Sequence, residues 1–405
     1  MPMDQPIRLL RPKAEDQIEL KVLPPLSLYI HIPWCVRKCP YCDFNSHEAK
    51  GDLPEADYLD ALVADLDQAL PLVWGRNVHT VFFGGGTPSL FSPEAVDRLL
   101  AAIRARLPLR PLAEITLEAN PGTVEAAKFR GFRQAGVTRV SLGIQSFNPE
   151  HLKALGRIHD DREARAAVDL ALEHFDNVNL DLMYGLPGQT AEQAEADIAA
   201  AVAAGPRHVS WYHLTLEPHT PFYRHPPALP AEDLMAEIEQ RGRAALQAGG
   251  YERYEVSAYA QPGAECRHNL NYWRFGDYLG IGAGAHGKLS FHDRVLRQAR
   301  HRGPPKYMEA ALAGHPMARE TPVPPAELGF EFMMNALRLA RGFPAPLFEE
   351  RTGLPLLTMA RQLDEAKARG LLTRDAERLR PTERGLLFLN DLLGVFLPDR
   401  AASFV

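Results

Sequence analysis

The sequence predicts an α/β fold with a parallel sheet built from repeated βα units. From Leu26 onward, short runs rich in β-branched and aromatic residues alternate with amphipathic helical patterns, which is typical of βαβ units. The chain has 405 residues, 46% hydrophobic and 24% charged, enough to bury the cores of two or three domains. The predicted strands are Leu26–Ile32, Thr80–Phe83, Glu114–Ala119, Arg139–Gly143, Val178–Leu182 and His208–Leu214.

The segments between these strands have helical features. Leu59, Leu62 and Leu66 recur at helical spacing, and Ser92 before Pro93 offers an N-cap followed by a favourable first-turn proline. This periodicity predicts helices but does not say whether the sheet closes into a ring. Further helical patterns cover Thr123–Gln134, Arg162–Glu173 and Thr190–Ala204.

Past Leu216 the βα alternation ends. Proline-rich connectors lead to a predicted helix over Asp233–Ala248 and a strand over Tyr251–Tyr259, and a boundary is predicted near Glu320–Pro325. The tail is predicted to hold the helices Ala326–Leu339, Pro346–Thr352 and Leu357–Ala368, then a hairpin over Leu371–Leu379. The predicted organisation is a mobile arm over residues 1–25, a βα domain over 26–216, an extension over 217–320 and a small helical domain over 321–405.

The strongest chemical motif is C-x3-C-x2-C, formed by Cys35, Cys39 and Cys42. A [4Fe–4S] cluster held by three cysteines leaves one iron open for a further ligand. A structural zinc site wants a fourth ligand, and no local cysteine or histidine pair supplies one. A disulfide would leave an odd thiol. The spacing favours the cluster, with structural zinc as the alternative.

With Tyr41 before the third cysteine, this loop resembles that of the radical S-adenosylmethionine (radical SAM) superfamily. The flanking Tyr-x-His-Ile-Pro-Trp-Cys and Cys-Asp-Phe narrow the resemblance to the branch that contains oxygen-independent coproporphyrinogen III oxidases and the HemW haem chaperones. The resemblance implies a partial (β/α)6 barrel with a small, mainly helical, winged-helix-like C-terminal domain. It also implies a [4Fe–4S] cluster whose open iron binds S-adenosylmethionine, and an electron donor that reduces the cluster.

Several residues at the ends of the predicted strands are candidates for binding this cofactor. A glycine run after a strand allows close approach of a ligand and offers backbone N–H groups to a carboxylate, although it is often a plain turn. Polar residues at the C-terminal strand ends of a βα barrel face its active-site mouth. The resemblance assigns cofactor contacts to Tyr29, Tyr41, Gly85, Gly86, Thr87, Glu118, Gln145, Arg157 and Asp181.

Composition excludes several classes of protein. The net charge of −6 without a basic block gives no electrostatic case for a nucleic-acid partner. The only cysteine outside the loop is Cys266, predicted to be a small buried residue, so an oxidising compartment is not indicated. No stretch reaches the length of a membrane span. The expected location is the cytoplasm, with peripheral attachment to the inner membrane left open.

The most discriminating stretch is His268-Asn269-Leu270-Asn271-Tyr272-Trp273. A lone histidine in such a stretch is more often a structural hydrogen-bonding residue than a ligand. The string H-N-x-x-Y-W nevertheless resembles the one associated with haem binding in HemW-like proteins, so His268 is predicted to be a haem-side residue. Nearby, Gly280–Gly287 loosely matches G-x-G-x-x-A but lacks the strand–turn–helix setting of a dinucleotide site, and a close-packed loop is predicted.

One departure decides between the two classes of the branch. The oxidases carry a longer motif, C-x3-C-x2-C-x-C, and this chain has Phe44 at the last position; only 25 residues precede its first predicted strand. The resemblance therefore predicts a haem chaperone whose partners are haem and haem-requiring enzymes, respiratory ones by family expectation. No residue is assigned a catalytic role. The alternative is a coproporphyrinogen III oxidase or another porphyrin-acting radical SAM enzyme.

Overall fold

The computed structural model describes residues 18–122, 126–375 and 377–398. Its strands are β1 (Leu26–Ile32), β2 (Trp34–Cys35), β3 (His47–Glu48), β4 (Val78–Gly85), β5 (Leu109–Ala119), β6 (Arg139–Gln145), β7 (Val178–Tyr184), β8 (His208–His213), β9 (Glu252–Glu255), β10 (Ala258–Ala260), β11 (Asp277–Ile281), β12 (His286–Ser290), β13 (Val295–Arg300), β14 (Met317–Pro322), β15 (Phe343–Pro344), β16 (Leu372–Arg374) and β17 (Arg378–Pro381).

The helices are α1 (Glu55–Ala69), α2 (Pro93–Arg106), α3 (Ala126–Ala135), α4 (Pro149–Ala154), α5 (Asp161–His174), α6 (Ala191–Ala204), α7 (Pro221–Arg224), α8 (Glu232–Ala248), α9 (Arg267–Trp273), α10 (Pro304–Leu312), α11 (Pro325–Ala336), α12 (Pro346–Thr352), α13 (Ala360–Ala368), α14 (Glu383–Leu387) and α15 (Leu389–Gly394). None of those in the described part of the chain has the length and apolar character of a membrane span. The first residues of the predicted helix Thr123–Gln134, residues 123–125, lie outside the described residues.

In the described residues the main sheet has twelve strands in the order β14-β13-β12-β11-β1-β4-β5-β6-β7-β8-β10-β9. Strands β11, β1 and β4 to β8 are parallel, and antiparallel strands extend both edges. The six predicted strands correspond to β1 and β4 to β8, and the open sheet agrees with a partial barrel. The predicted α/β class is confirmed, whereas the parallel strand β11 was not predicted from the sequence.

Most residues of the parallel strands are buried, because helices, α9 among them, pack against the sheet. Every residue of β6 is buried, as expected for a central parallel strand. Local capping fixes the helices as the sequence indicates: Ser92 Oγ accepts the N–H of Ala95 at the start of α2, and Thr190 forms a capping box with Gln193 at the start of α6. Because the parallel strands run in the same direction, their C-terminal ends meet at one edge of the sheet.

The C-terminal region forms a second core with a small three-stranded sheet in the order β15-β17-β16, and it is mainly helical as predicted. This core also takes in residues from the start of the chain. Of the predicted arm, residues 1–17 lie outside the described residues, while Ile18 and Leu20 are buried in this core. Leu20 N–H donates to the carbonyl of His292, which attaches the segment to the turn before β13.

A buried ionic network holds β11 in the sheet. The fully buried carboxylate of Asp277 bonds Lys288 Nζ at 2.9 Å and Arg76 Nη2 at 2.8 Å, and accepts from Ser290 Oγ at 2.7 Å. Burial would raise the pKa of Asp277, but Lys288 and Arg76 hold it below its ordinary value. Lys288 is itself buried, with its ammonium 4.1 Å from the centre of the Phe275 ring.

We expect Asp277→Ala to destabilise the protein by about 3–5 kcal/mol, because it leaves the Lys288 ammonium buried without its partner. Urea unfolding followed by circular dichroism measures this loss. The matched control is Asp60→Ala, which removes an exposed ion pair with Arg98 and should cost under about 1 kcal/mol. Equal losses for the two variants would contradict the role given to the network.

Candidate cofactor site

A cavity of about 420 Å³ lies where the C-terminal ends of the parallel strands meet. Its wall is formed by residues from the loop after β1, from the ends of β4 to β8 and from α9. It has the size of a site for a small organic ligand. The predicted site residues on its wall are Cys35, Cys39, Tyr41, Cys42, Gly85, Gly86, Thr87, Glu118, Gln145, Arg157 and Asp181.

The cysteine loop presents its three thiols to this cavity. Cys35 ends the short strand β2, which pairs with β3, and Cys42 N–H donates to the carbonyl of Cys39 at 3.1 Å, which tightens the loop. All three thiols are half-buried and none forms a disulfide. Burial raises the pKa of Cys35 and of Cys42. The loop therefore brings the three sulfurs to one wall, as its spacing predicts.

The donor set of the cysteine loop fits a [4Fe–4S] cluster. Three cysteine thiols lie on one wall, and each would bind a different iron, which leaves one iron open for a further ligand. A structural zinc site takes four protein ligands, and among the described residues no fourth Cys and no His lies on this wall.

The glycine loop after β4 packs directly against the cysteine loop. Gly85 has a φ of +118°, and a Cβ there would lie 2.7 Å from the His31 ring; a Cβ on Gly86 would lie 2.5 Å from the carbonyl oxygen of Trp34. The N–H groups predicted to receive a carboxylate are all bonded within the protein, those of Gly86 and Thr87 to the carbonyls of Ile32 and Trp34 and that of Gly85 to Glu118. The glycines thus serve close packing rather than donation.

Two carboxylates, Glu118 on β5 and Asp181 on β7, face the cavity from either side of β6. Burial, with the charge of Asp181 nearby, raises the pKa of Glu118 to about 8. Burial also raises the pKa of Asp181, although Ser141 Oγ and Asn179 Nδ2 donate to it at 3.0 and 2.8 Å. Two shielded carboxyl groups in one cavity favour a cationic ligand, which would offset the cost of ionising them.

Arg157 places a cation between the cysteine loop and the strand ends. Its guanidinium donates to Gly143 O at 2.7 Å, to Asn120 Oδ1 at 2.6 Å and to Cys39 Sγ at 3.6 Å. Its buried Nε has no hydrogen-bond partner among the residues that the structure describes. Coming after the short helix α4, this side chain is held firmly at the wall and suits an anionic group such as a ligand carboxylate.

Gln145 ends β6 in a strained conformation. Its φ is 71°, which is uncommon for a residue other than glycine, and such strain is concentrated at functional sites. The Tyr212 hydroxyl donates to Gln145 Oε1 at 2.6 Å and fixes the side chain at the cavity. Tyr212, together with Asn120, was not predicted, because a tyrosine inside a strand and an amide before Pro121 have ordinary structural explanations.

A second cavity of about 830 Å³ adjoins the first. The two cavities share four wall residues, which are Phe44, Gly85, Glu118 and Trp273. Among the predicted cofactor residues, Tyr29 lies on the wall of the second cavity but not of the first. Its hydroxyl is hydrogen-bonded to His31 Nδ1 at 3.0 Å. Burial, reinforced by Glu118, raises the Tyr29 pKa. Much of the remaining wall comes from α9 and from β11 to β13, in the region where no βα pattern is predicted.

His268 lies on neither cavity wall. The ring is buried, with Nδ1 2.8 Å from Thr80 Oγ1 and Nε2 2.9 Å from the Tyr272 hydroxyl. Because Thr80 donates its own hydroxyl hydrogen to Ser27, His268 Nδ1 donates to Thr80 and Nε2 accepts from Tyr272. Burial lowers the pKa of His268 to about 3. The imidazole is thus neutral, fully bonded and structural, while Tyr272 and Trp273 of the same helix reach the cavities.

We expect His268→Ala to destabilise the haem-free protein by about 2–4 kcal/mol, since it leaves a void beside Phe82 and removes the partners of Thr80 and Tyr272. Urea unfolding without haem measures this. His315→Ala, an exposed histidine in the described chain, is the control and should change stability by less than about 0.5 kcal/mol. Unchanged stability of the His268 variant would mean that this ring acts only toward a ligand.

The C-terminal region also contributes to the first cavity. Arg338 lies on its wall, with its guanidinium 4.3 Å from the centre of the Trp273 ring and 3.4 Å from Glu255. The indole Nε1 of Trp273 is buried and finds no hydrogen-bond partner in the described part of the chain. Arg338 was not predicted, because a lone arginine near the end of a helical pattern is normally solvated.

Two family models match the chain: that of the radical SAM superfamily over residues 29–201, and that of the HemN C-terminal domain over residues 323–388. The chain is 52% identical over 382 residues to the haem chaperone HemW of Escherichia coli, covering 93% of this chain and 99% of that protein. It is 38% identical over 386 residues to the haem chaperone HemW of Mycobacterium tuberculosis, covering 92% and 95%. It is 37% identical over 384 residues to radical S-adenosyl methionine domain-containing protein 1, mitochondrial, of Bos taurus, covering 91% and 86%.

Among solved structures, the coproporphyrinogen III oxidase HemN of Escherichia coli, described as a radical SAM enzyme, matches with a TM-score of 0.79 at 24% sequence identity. The match covers 92% of this chain and 90% of that chain. At this identity the likeness shows the fold, and it confirms the predicted radical SAM architecture with its helical C-terminal region.

Proposed function

The chain belongs to the HemW family of the radical SAM superfamily, and we propose that it is a haem chaperone that carries a [4Fe–4S] cluster and S-adenosylmethionine. The observation that carries the proposal is the pair of adjoining cavities, of about 420 and 830 Å³, with the cysteine loop on the wall of the smaller one. Curated relatives that the chain matches over more than nine-tenths of its length are haem chaperones by name. The smaller cavity would hold the cofactor and the larger one the haem.

The residues of the smaller cavity suit the groups of S-adenosylmethionine. Cys35, Cys39 and Cys42 would hold the cluster, which when bound supplies an open iron and an electron to its ligand. Glu118 would face a positive charge of the cofactor, and Arg157 its carboxylate. The remaining predicted residues, Tyr41, Gly85, Gly86, Thr87, Gln145 and Asp181, would complete the binding surface, with Tyr29 behind Glu118.

Phe44 supports a carrier of haem over a decarboxylating enzyme. It occupies the position of the additional cysteine of the oxidase motif, lies on both cavity walls and is 63% exposed. An exposed aromatic side chain at a cavity mouth provides an apolar face for a planar macrocycle. We propose that haem taken up here passes to haem-requiring enzymes, respiratory ones among them, at the inner face of the membrane, with an electron donor serving the cluster.

A porphyrin-acting oxidoreductase is the second candidate, because the fold is shared with coproporphyrinogen III oxidase. One anaerobic experiment separates the two functions. The cluster is reconstituted, and the protein is incubated either with haem, followed by a haem-depleted b-type cytochrome, or with coproporphyrinogen III, S-adenosylmethionine and a reductant. Stoichiometric haem uptake and transfer without porphyrin product supports the chaperone. Multiple turnovers of coproporphyrinogen III would overturn it.

A further inference from the structure

Three tyrosines on the wall of the larger cavity are candidate iron ligands, because haem iron in proteins is bound by His, Cys, Met or Tyr side chains. Each hydroxyl is already bonded within the protein. The bonds are Tyr29 to His31 Nδ1 at 3.0 Å, Tyr272 to His268 Nε2 at 2.9 Å and Tyr278 to Arg297 Nη1 at 2.7 Å. Ligation by any of them would break an existing hydrogen bond.

The histidines of the larger cavity differ in whether their ring nitrogens are already hydrogen-bonded within the protein. His31 is bonded at both ring nitrogens, since Nε2 donates to Asn45 O at 2.8 Å and Nδ1 accepts from Tyr29. His286, at the first position of β12, has no hydrogen bond to its ring within the described residues, and no Cys or Met of those residues lines this cavity. His286 is exposed at the cavity, and its partial burial, with the nearby charges of Arg302 and Arg297, lowers its pKa and favours the neutral imidazole that binds metals.

The glycine-rich turn before β12 fixes the position of His286. Gly282 has a φ of +105°, and a Cβ there would lie 2.4 Å from the carbonyl oxygen of His31, so only glycine fits. Ala283 N–H donates to the Tyr58 hydroxyl at 2.8 Å, and Asn45 Nδ2 donates to Ala283 O at 2.9 Å. This is the close-packed loop that the sequence predicts, and its packing places the start of β12 at the cavity.

Three cationic side chains on the wall of the larger cavity are paired with carboxylates, and a fourth is available to a ligand. The guanidinium of Arg300 pairs with Asp65 at 3.1 Å, that of Arg297 with Glu331 at 2.6 Å, and the ammonium of Lys288 with Asp277 at 2.9 Å. Arg302, exposed at the rim, forms no salt bridge with any described residue. An unpaired guanidinium at the rim of a cavity suits a carboxylate carried by the ligand.

Given the proposed function, on which this inference rests, we infer that haem binds in the larger cavity with its iron ligated by His286 and one propionate paired with Arg302. The bond that forms joins an imidazole nitrogen of His286 to the iron, and no electron transfer is required. Phe44 and Trp273, shared with the smaller cavity, then separate the macrocycle from the cofactor. His268 supports this wall through Tyr272 without touching the iron.

The test is an anaerobic haem titration of the full-length, cluster-loaded protein, with difference absorbance and electron paramagnetic resonance spectra. We expect His286→Ala to lose the histidine-ligated spectrum and to weaken haem binding at least about tenfold, given that even outer partners of metal ligands cost 10–100-fold. Added imidazole should restore the spectrum. His315→Ala, the exposed control, should bind like the wild type.

Arg302→Gln provides a second variant that keeps the ligand. It should weaken haem binding about two- to fivefold and reduce the salt dependence of the affinity, with the spectrum unchanged. Wild-type spectra and affinity in His286→Ala, or loss of the histidine-ligated spectrum in His268→Ala alone, would overturn the inference while leaving a haem chaperone. A wild-type protein that takes up no haem would instead overturn the proposed function.

Discussion

Cys42→Ser is expected to reduce iron and sulfide in anaerobically reconstituted protein from about four of each per chain to near zero. Cys35, Cys39 and Cys42 are the cysteines at the cavity, and in the described residues no further group of His, Cys, Asp or Glu converges to replace a lost ligand. A cluster held at three corners has no spare protein ligand, so removal of one thiolate leaves two. Colorimetric iron and sulfide assays, with zinc measured in parallel, give the result directly.

The matched control is Cys266→Ala. This thiol is fully buried beside Glu114 and does not line the cavity, and burial raises its pKa to about 12, which disfavours the thiolate that binds metals. The control should retain full iron and sulfide. Stoichiometric zinc in place of iron in the wild type would overturn the cluster. Haem uptake should survive in Cys42→Ser, since Phe44 and not Cys42 lies on the wall of the larger cavity.

The parts of the fold that the sequence predicts are those with local signals. Strand β6 is an uninterrupted buried run, and α2 carries Ser92 and Pro93 at its start, so both are recognisable without tertiary information. Strand β11 is different, because it is only five residues long and contains the buried Asp277 and a glycine. The buried Asp277 is compensated by Lys288 on the neighbouring strand β12 and by Arg76, which is distant in sequence, and this explains why β11 was not predicted.

The residues of the candidate site also fall into those with a local sequence signal and those without one. The cysteine loop could be predicted from its C-x3-C-x2-C spacing, and the strand-end residues Glu118 and Gln145 because parallel strands bring their C-terminal ends together. The larger cavity could not, since its wall forms only when β11 pairs with β1, which is far away in the sequence, and brings β12 and β13 beside it. His268 shows the converse: the motif resemblance drew attention to the histidine, whereas the structure buries that ring and turns Tyr272 and Trp273 toward the cavities.

Glu118 is expected to make S-adenosylmethionine binding strongly pH-dependent. Its pKa of about 8 means that it is mostly neutral at pH 6 and ionised at pH 9. If a cationic ligand binds the ionised carboxylate, the affinity should rise about tenfold per pH unit between pH 6 and 8 and then level off. Glu118→Gln should remove this rise. Because titration of the cofactor itself is common to both proteins, the difference between their binding curves isolates Glu118.

The same carboxyl group should cost stability when no ligand is present. A pKa raised from 4.5 to about 8 means that the folded protein holds a proton that the unfolded chain has lost, so stability falls as the pH rises through this window. Glu118→Gln should therefore raise the free energy of unfolding of the ligand-free protein by about 2–4 kcal/mol at pH 8, with no gain at pH 4. Urea unfolding at both pH values measures this difference. If Glu118→Gln is destabilised at pH 8, the glutamate side chain serves packing. If the variant is more stable than the wild type but no longer binds the cofactor, this carboxylate is kept for its ligand at a cost in folding stability.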